Sequence, residues 1–361
     1  MSGPQPRANI LDIIPYKGGD PSSDGWKLSS NENPLGCSEA ARQAVIEATQ
    51  TLEIYPDGSA AALREAIGAK YGIDAERIVC GTGSDEIFQL LGRAYLEPGD
   101  EVIQTEYAFL VYRLVAQQAG ATLISVPETD LCADVDAILA HVTHRTRIVF
   151  LANPNNPTGS YLPFDEVKRL HAGLREDILL VLDGAYAEYV RRNDYSAGME
   201  LAGEAPNVLM TRTFSKIHGI AALRLGWAYG PESVIDAIHR VRGPFNVNAP
   251  ALAAGIAALG DDAFLQASAD HNESELKRVS EGLTALGFHV YPSVGNFLLI
   301  RFEDAPGRTS KDADAFLRAR GIVIRGMVPY GLPACLRLTI GTKEADDDVL
   351  AAFEAFAKTG E

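Results

Sequence analysis

Residues 208–216, Val-Leu-Met-Thr-Arg-Thr-Phe-Ser-Lys, decide the predicted fold. Their apolar start predicts a buried strand ending at Thr213, so the hydroxyl of Ser215 and the amine of Lys216 follow a strand end. Arg224 lies eight residues beyond this lysine. Hydroxyls and a guanidinium together suit a phosphate group. A lone lysine in a loop is usually a solvated surface charge, so Lys216 becomes informative only together with the rest of the chain.

Other predicted strands also end in polar clusters. They are residues 78–80 before Ser84 and Asp85, 101–104 before Tyr107, 147–152 before Asn156, and 178–182 before Asp183 and Tyr186. Strands that are apolar throughout and alternate with helices indicate an α/β fold with a mostly parallel sheet sandwiched by helices. Ligands of such sheets bind beyond the carboxyl ends of the strands. We therefore expect all of these clusters to line one site.

The chain divides into three predicted segments. Prolines and glycines in residues 1–30 oppose regular structure, which indicates an N-terminal arm. Residues 31–248 contain the strands named above and form the predicted large domain. Residues 249–361 contain a long charged helix, several short strands and a closing amphipathic helix, and we expect a smaller α+β C-terminal domain there.

Composition narrows the class of protein. The 361 residues carry 48 acidic and 32 basic side chains, a net charge of −16, which disfavours nucleic acid and anionic membranes as partners. The four cysteines are scattered and no HExxH motif occurs, so we expect no metal site and reduced thiols in a cytoplasmic protein. The N-terminal residues lack the apolar core of a secretory signal, and we expect no membrane span.

The polar clusters match the needs of pyridoxal 5'-phosphate. For its phosphate, we expect N–H and O–H donors and one cation from Ser84, Asp85, Thr213, Ser215 and Arg224. Asp85 would contribute its backbone N–H, because its carboxylate repels a phosphate.

The pyridine ring of this cofactor makes separate demands. Asp183 would keep the ring nitrogen protonated, and Asn156 and Tyr186 would donate to the phenolate oxygen. Tyr107 would cover the ring face, and Lys216 would form the Schiff base with the aldehyde. Taken singly, Asp183 fits a helix N-cap, Asn156 a turn and the tyrosines a core. Separate structural roles do not explain why all of these residues follow strand ends of the same predicted sheet, so the set as a whole favours a shared binding site.

Three of these motifs together resemble a known family. Asn-Pro-Asn-Asn-Pro-Thr-Gly at 153–159, Asp-Gly-Ala-Tyr at 183–186 and Ser-Lys-x-x-Gly followed by Arg-Leu-Gly within 215–226 resemble fold-type I aminotransferases. Residues 15–16, 31–34, 55–56 and 336–342 are similar to those of histidinol-phosphate aminotransferases. The resemblance covers about residues 10 to 357.

This resemblance implies roles for further residues. Lys216 would also shuttle the proton. Tyr55 would reach the cofactor phosphate of a neighbouring subunit, which implies a homodimer, and Arg337 would hold the anionic group of the substrate. The remaining residues implied for the substrate pocket are Tyr16, Asn33 and Arg325.

The predicted reaction is amino transfer between a small-molecule amino donor and a 2-oxo acid. The resemblance implies L-histidinol phosphate and 2-oxoglutarate, as in histidine biosynthesis. An aromatic or broad-specificity amino-acid aminotransferase and a phosphothreonine-type decarboxylase remain alternatives on the same scaffold. A transcriptional regulator would need an added DNA-binding domain, and a nicotinamide dehydrogenase is disfavoured by the missing GxGxxG fingerprint.

Overall fold

A computed structural model gives the fold and describes residues 3–15 and 25–359. Up to residue 241 the elements are α1 (Ala8–Leu11), β1 (Trp26–Lys27), α2 (Glu39–Ala48), α3 (Ala61–Tyr71), β2 (Ile78–Gly81), α4 (Ser84–Tyr95), β3 (Glu101–Thr105), α5 (Leu110–Ala119), β4 (Thr122–Val126), α6 (Val135–Ala140), β5 (Thr146–Ala152), α7 (Phe164–Gly173), β6 (Leu179–Asp183), α8 (Met199–Glu204), β7 (Val208–Thr213), β8 (Gly226–Tyr229) and α9 (Glu232–Val241). The elements that follow are α10 (Ala249–Leu259), α11 (Asp262–Ala285), β9 (His289–Tyr291), β10 (Phe297–Arg301), α12 (Ser310–Arg318), β11 (Ile322–Val323), β12 (Arg325–Gly326), β13 (Cys335–Thr339) and α13 (Lys343–Lys358).

The large sheet has seven strands in the order β2-β8-β7-β6-β5-β3-β4. The pairs from β7 to β4 are parallel, while β8 runs antiparallel to both of its neighbours. This confirms the predicted α/β class and the mostly parallel sheet. The carboxyl ends of β5, β6 and β7 lie at one edge, so Asp183 and Thr213 end neighbouring strands.

Helices cover both faces of this sheet, which explains why its central strands are apolar throughout. Along β5, Val149 and Leu151 belong to one buried cluster, and Ile148 and Phe150 belong to another on the opposite face. Successive side chains of a strand point to opposite faces, so the alternation requires cover on both sides. Each fully buried side chain of this kind contributes about 1.5–3 kcal/mol of transfer free energy.

A second, four-stranded antiparallel sheet in the order β12-β13-β10-β9 forms the core of the smaller α+β region. The helices α11, α12 and α13 contribute Val279, Leu317 and Phe353 to its buried cluster. Although close in sequence, Ile322–Val323 and Arg325–Gly326 belong to different sheets.

Two observations bear on the predicted division of the chain. Trp26–Lys27, at the end of the predicted arm, pairs in parallel with Ile322–Val323, so this part of the arm has regular structure. Helix α10 buries Ala251 and Ala254 in the same cluster as Leu63 of α3, which is a large-domain cluster. Helix α10 therefore packs against a helix of the large domain, and the predicted boundary at residue 249 stays a prediction.

Within residues 3–15 and 25–359, no helix has the length and apolar character needed to cross a bilayer.

Candidate active site

A cavity of about 200 Å³ lies at the carboxyl ends of β5, β6 and β7 and extends to the small sheet. The predicted site residues that line it are Ser84, Asp85, Asn156, Asp183, Tyr186, Thr213, Ser215, Lys216, Arg224, Arg325 and Arg337. Parallel strands bring their carboxyl ends to one edge of a sheet, so clusters far apart in sequence meet here.

Two glycines allow an unusually close approach at one end of this cavity. Gly83 is the N-cap of α4 with φ +82°, and a Cβ there would lie 2.5 Å from Nη2 of Arg224. A Cβ on Gly226 would lie 2.4 Å from the backbone nitrogen of Ser84. Because the N-cap is a glycine, no side chain caps the first N–H groups of the helix, and they remain available to an anion.

The guanidinium of Arg224 is oriented over this helix start. Its Nη1 donates to Oγ of Ser215 at 3.2 Å, and its Nη2 donates to Oδ2 of Asp85 at 3.3 Å. Arg224 has φ +53°, a strained backbone conformation for a residue with a side chain. The Asp85 carboxylate thus faces the arginine, and burial raises the pKa of this carboxyl.

Asp183 is a buried residue of the same cavity wall. Its Oδ2 accepts a hydrogen bond from Oη of Tyr112 at 2.6 Å, and its Oδ1 accepts one from Oγ1 of Thr211 at 3.4 Å. Burial raises the pKa of Asp183 to about 6. A buried carboxyl is stabilised in its charged form by a cation placed beside it, as a protonated ring nitrogen would be.

Tyr112 is a functional residue that the sequence analysis missed. It lies in α5, fully buried, and its ring stacks on Phe150 at 4.5 Å between centroids. A buried tyrosine hydroxyl needs a polar partner, so a tyrosine on the apolar face of this helix was the signal available.

Lys216 also lines this cavity. Its Nζ donates to the backbone carbonyl of Ser30 at 3.2 Å and lies 5.7 Å from the ring centroid of Tyr186. Burial, and secondly the positive charge of Arg337, lower the pKa of this amine to about 8. Lys216 therefore has the partly neutral amine that a nucleophile or proton acceptor needs.

Two arginines face each other in the wall formed by the small sheet. Arg325 of β12 and Arg337 of β13 are directly opposite in the antiparallel register. Arg337 is buried, donates through Nη1 to Oδ1 of Asn156 and through Nη2 to the carbonyl of Ser29 at 3.0 Å, and its Nε has no hydrogen-bond partner within the described residues. Like charges opposite each other destabilise a sheet, so this pair suits an anion bound in the cavity.

These groups fit the cofactor predicted from the sequence. A helix start with free N–H groups beside an arginine suits a phosphate, a buried carboxyl suits a pyridinium nitrogen, and an amine of lowered pKa in the same cavity suits an aldehyde. The side chains of Asn156 and Tyr186 line the same cavity. Arg337 and its unpartnered Nε remain for a second anionic molecule.

Two predicted site residues lie outside the cavity wall, and their roles stay predictions. Asn33 does not line the cavity, because its Nδ2 donates to the carbonyl of Ile217 at 2.7 Å and to Oγ of Ser268 at 2.9 Å. Asn31 lines it instead and donates to Oη of Tyr186 at 2.8 Å. Phe109 belongs to the cavity wall, whereas Tyr107 does not.

Two further predicted residues lie elsewhere. Tyr55 is 79% exposed and stacks on Phe245 with ring centroids 4.8 Å apart, so its role towards a neighbouring subunit stays a prediction. Tyr16 lies outside the described residues.

Comparisons with known proteins agree with this geometry. The chain is 56% identical over 358 residues to the histidinol-phosphate aminotransferase of Maricaulis maris (strain MCS10), covering 98% of this chain and 99% of that protein. It is 53% identical to the enzyme of the same name from Rhodopseudomonas palustris (strain BisB18), with 99% of each chain covered. The crystal structure of histidinol-phosphate aminotransferase from Sinorhizobium meliloti in complex with pyridoxal-5'-phosphate superposes with a TM-score of 0.92 at 26% identity, covering 100% of this chain and 99% of that one.

The family described as aminotransferase class I and II matches residues 23–353, which include every strand and every residue of the cavity wall. With this match and relatives more than 50% identical over nearly their whole length, the chain belongs to the class I and II aminotransferase family.

Proposed function

We propose that this protein catalyses the pyridoxal-phosphate-dependent transfer of the amino group of L-histidinol phosphate to 2-oxoglutarate. The products are imidazole acetol phosphate and L-glutamate, and the reaction belongs to histidine biosynthesis. The observation that carries this proposal is the opposed pair Arg325 and Arg337 in the same cavity wall as Lys216. The similarity to histidinol-phosphate aminotransferases supports it.

The chain's own residues would hold the cofactor at both ends. Ser84, Thr213, Ser215 and Arg224 would bind the phosphate through hydroxyl, backbone and guanidinium donors. When bound, pyridoxal phosphate supplies an aldehyde that condenses with amines and a protonated ring that withdraws electrons from the carbon bearing the amine.

Asp183 would hold the proton on the ring nitrogen. Its carboxyl has a raised pKa of about 6 because it is buried, and a cation beside it favours the charged form. The bonds from Tyr112 and Thr211 orient both carboxylate oxygens. At neutral pH Asp183 is therefore the anion that a pyridinium requires.

Lys216 would move the reaction's proton. Its Nζ takes the proton from the carbon that bears the substrate's amino group and later returns it. An amine must be neutral to accept a proton, and the pKa of about 8 places this one close to the operating range of a general base.

The two arginines would bind substrates of different shape in one cavity. The amino donor, L-histidinol phosphate, carries a phosphate monoester, and the amino acceptor, 2-oxoglutarate, carries two carboxylates. A guanidinium binds either group through two parallel N–H bonds. The bonds from Arg337 to Asn156 and Ser29 fix one guanidinium, so it keeps its orientation as substrates exchange.

We also propose a homodimer in the cytoplasm. The exposed side chains of Leu52, Ile54 and Tyr55 are adjacent in the chain, each more than 60% exposed, and a cluster of large apolar side chains suits contact with a second copy. All four cysteines are free thiols, which is typical of a reducing compartment.

The proposed reaction is tested with purified protein reconstituted with pyridoxal phosphate. L-Histidinol phosphate and 2-oxoglutarate together should yield L-glutamate, and omission of either should abolish it. Lys216→Ala protein should form none. Glutamate formation by Lys216→Ala at the wild-type rate would contradict the role of Lys216, and none from wild-type protein would contradict the proposed substrates.

A further inference from the structure

A carboxylate outside the cavity restrains the turn at its phosphate end. Glu86 lies in the first turn of α4 and is not part of the cavity wall. Its Oε2 accepts a hydrogen bond from the backbone N–H of Thr82 at 2.6 Å and another from Nδ2 of Asn246 at 2.8 Å. Thr82 immediately precedes Gly83, the N-cap of α4, so this bond fixes the backbone that presents the first free N–H groups.

Asn246 connects this turn to the loop of residues 243–248. Its Nδ2 also donates to the carbonyl of Cys80 at 3.3 Å, and its Oδ1 accepts from Nη1 of Arg242 at 3.1 Å. Arg242 in turn donates through Nε to Nδ1 of His239 at 3.0 Å. Both ends of the Asn246 amide are engaged, which fixes its orientation.

The residue before Asn246 has a strained backbone. Phe245 has φ +52°, which is uncommon for a bulky side chain. Its ring stacks on Tyr55 at an interplanar angle of 20°, and a Cβ on Gly58 would lie 3.1 Å from its Cδ1. Strained conformations persist only where the surroundings enforce them, and the bonds of Asn246 do so here.

We propose that Glu86 and Asn246 are positioning residues that shape the phosphate-binding turn and, through Phe245, hold Tyr55 in place. The inference rests on the proposed function, in which the turn binds the phosphate of its own subunit and Tyr55 reaches that of the partner. One hydrogen-bonded unit then serves both phosphate sites of a dimer. Loss of either residue loosens cofactor binding at both sites.

The effect of Glu86 is measured as the dissociation constant of pyridoxal phosphate from the reconstituted protein. Glu86→Ala leaves two donors without their acceptor and should raise this constant about tenfold. Glu86→Gln keeps an oxygen for the Thr82 N–H and should restore most of the affinity. Glu86→Met fills similar space without an acceptor and should bind as weakly as Glu86→Ala, whereas a merely space-filling role would let Met restore the affinity too. Wild-type affinity of Glu86→Ala would overturn the proposal.

Glu166 offers a matched control. It occupies the same third position of its own helix, α7, and its carboxylate bonds to Arg169 away from the cavity. Glu166→Ala should leave the dissociation constant unchanged. An equal loss of affinity in Glu86→Ala and Glu166→Ala would mean a general stability effect and would overturn the positioning role.

The connection to Tyr55 is tested by a double-mutant cycle. Asn246→Ala and Tyr55→Phe should each weaken cofactor binding, and the double variant should bind more tightly than the product of the two effects predicts, because a misplaced Tyr55 has already lost its contact. If the effects of the two substitutions on the dissociation constant simply multiply in the double variant, the connection between Asn246 and Tyr55 is overturned. Asn246→Ala also tests the turn independently if Glu86→Ala does not fold.

The outcomes separate this inference from the proposed function. Wild-type affinity of Tyr55→Phe would refute the cross-subunit contact and the connection to Tyr55, while the comparison of Glu86→Ala with Glu86→Gln would still decide the role in the turn. A protein that binds pyridoxal phosphate but does not turn over histidinol phosphate would refute the proposed substrate and leave the cycle interpretable.

Discussion

The hydroxyl of Tyr112 donates to Oδ2 of Asp183 at 2.6 Å, between a helix on one face of the large sheet and the end of its central strand. The ring of Tyr112 is fixed by Phe150, stacked at 4.5 Å, and by Phe88, edge-on at 5.3 Å. Aromatic packing thus holds the donor rigidly, and the donor holds the carboxylate that is proposed to face the cofactor ring.

Removing the hydroxyl of Tyr112 should slow catalysis and leave the packing of its ring in place. Tyr112→Phe keeps the stacked ring but leaves Asp183 with one fewer bond to its charged form, which raises the carboxyl pKa further. We expect a loss of about tenfold in kcat, measured under saturating substrates. Tyr161→Phe is the control, because its hydroxyl bonds to Asp194 outside the cavity, and it should retain wild-type kcat.

The arginine pair should not tolerate lysine. Arg325→Lys and Arg337→Lys each keep the charge but lose the two-pronged binding of an anion. We expect kcat/KM to fall about 10- to 100-fold for both substrates. Arg301→Lys, on the neighbouring strand β10 and exposed, should be unaffected. Equal kcat/KM in all three variants would contradict the assignment of the pair to substrate binding.

Asp183 should destabilise the protein when the cofactor is absent. Its folded pKa of about 6 lies above the unfolded value, so the charged carboxyl opposes folding above pH 6. This penalty fades as the pH falls from 6 towards 4, where both states become protonated. Asp183→Asn apoprotein should therefore be more stable than wild type at pH 7, by about 2 kcal/mol, and no more stable at pH 4. Denaturant unfolding at the two pH values measures this, and a pH-independent difference would contradict it.

The same substitution should remove most of the activity. A neutral amide cannot stabilise a protonated ring nitrogen, so Asp183→Asn should bind pyridoxal phosphate yet lose at least about 100-fold in kcat. A gain in stability with a loss of activity is expected at a functional site.

Lys216 should react as an amine of low pKa. Competitive labelling of the apoprotein with acetic anhydride, followed by mass spectrometry, reports the neutral fraction of each lysine. The neutral fraction of Lys216 should rise with pH and level off above about pH 8, because burial opposes its protonation. An added short peptide with a single lysine is the reference, because an ordinary lysine amine still gains reactivity above pH 9. A Lys216 profile that follows this peptide would contradict the lowered pKa.

Much of the fold follows from the sequence because buried strands are apolar without interruption. The strand predicted to end at Thr213 is β7, and the strand predicted over residues 147–152 lies within β5. Strand β8 was missed because it has only four residues, begins with a glycine and follows a segment without periodicity. Its antiparallel direction depends on the return of the chain through 214–225, which no local pattern encodes.

The site was predicted less completely, for a geometric reason. Which asparagine of the Asn31–Asn33 segment faces the cavity is decided by the left-handed backbone of Asn31, at φ +57°, and not by residue type. The choice of Phe109 over Tyr107 for the cavity wall likewise depends on the path of the chain between β3 and α5. Residues that follow a strand end immediately, such as Asp183, leave no such freedom and were placed correctly.

The most direct test of the account is a comparison of substrates on one preparation. The protein reconstituted with pyridoxal phosphate is given L-histidinol phosphate or L-phenylalanine, each with 2-oxoglutarate, and kcat/KM is measured from glutamate formation. The opposed arginines predict a preference of at least about tenfold for histidinol phosphate, because its phosphate monoester carries nearly two negative charges and three acceptor oxygens, whereas the carboxylate of phenylalanine carries one charge and two oxygens. A kcat/KM for phenylalanine equal to or above that for histidinol phosphate would contradict the proposed function.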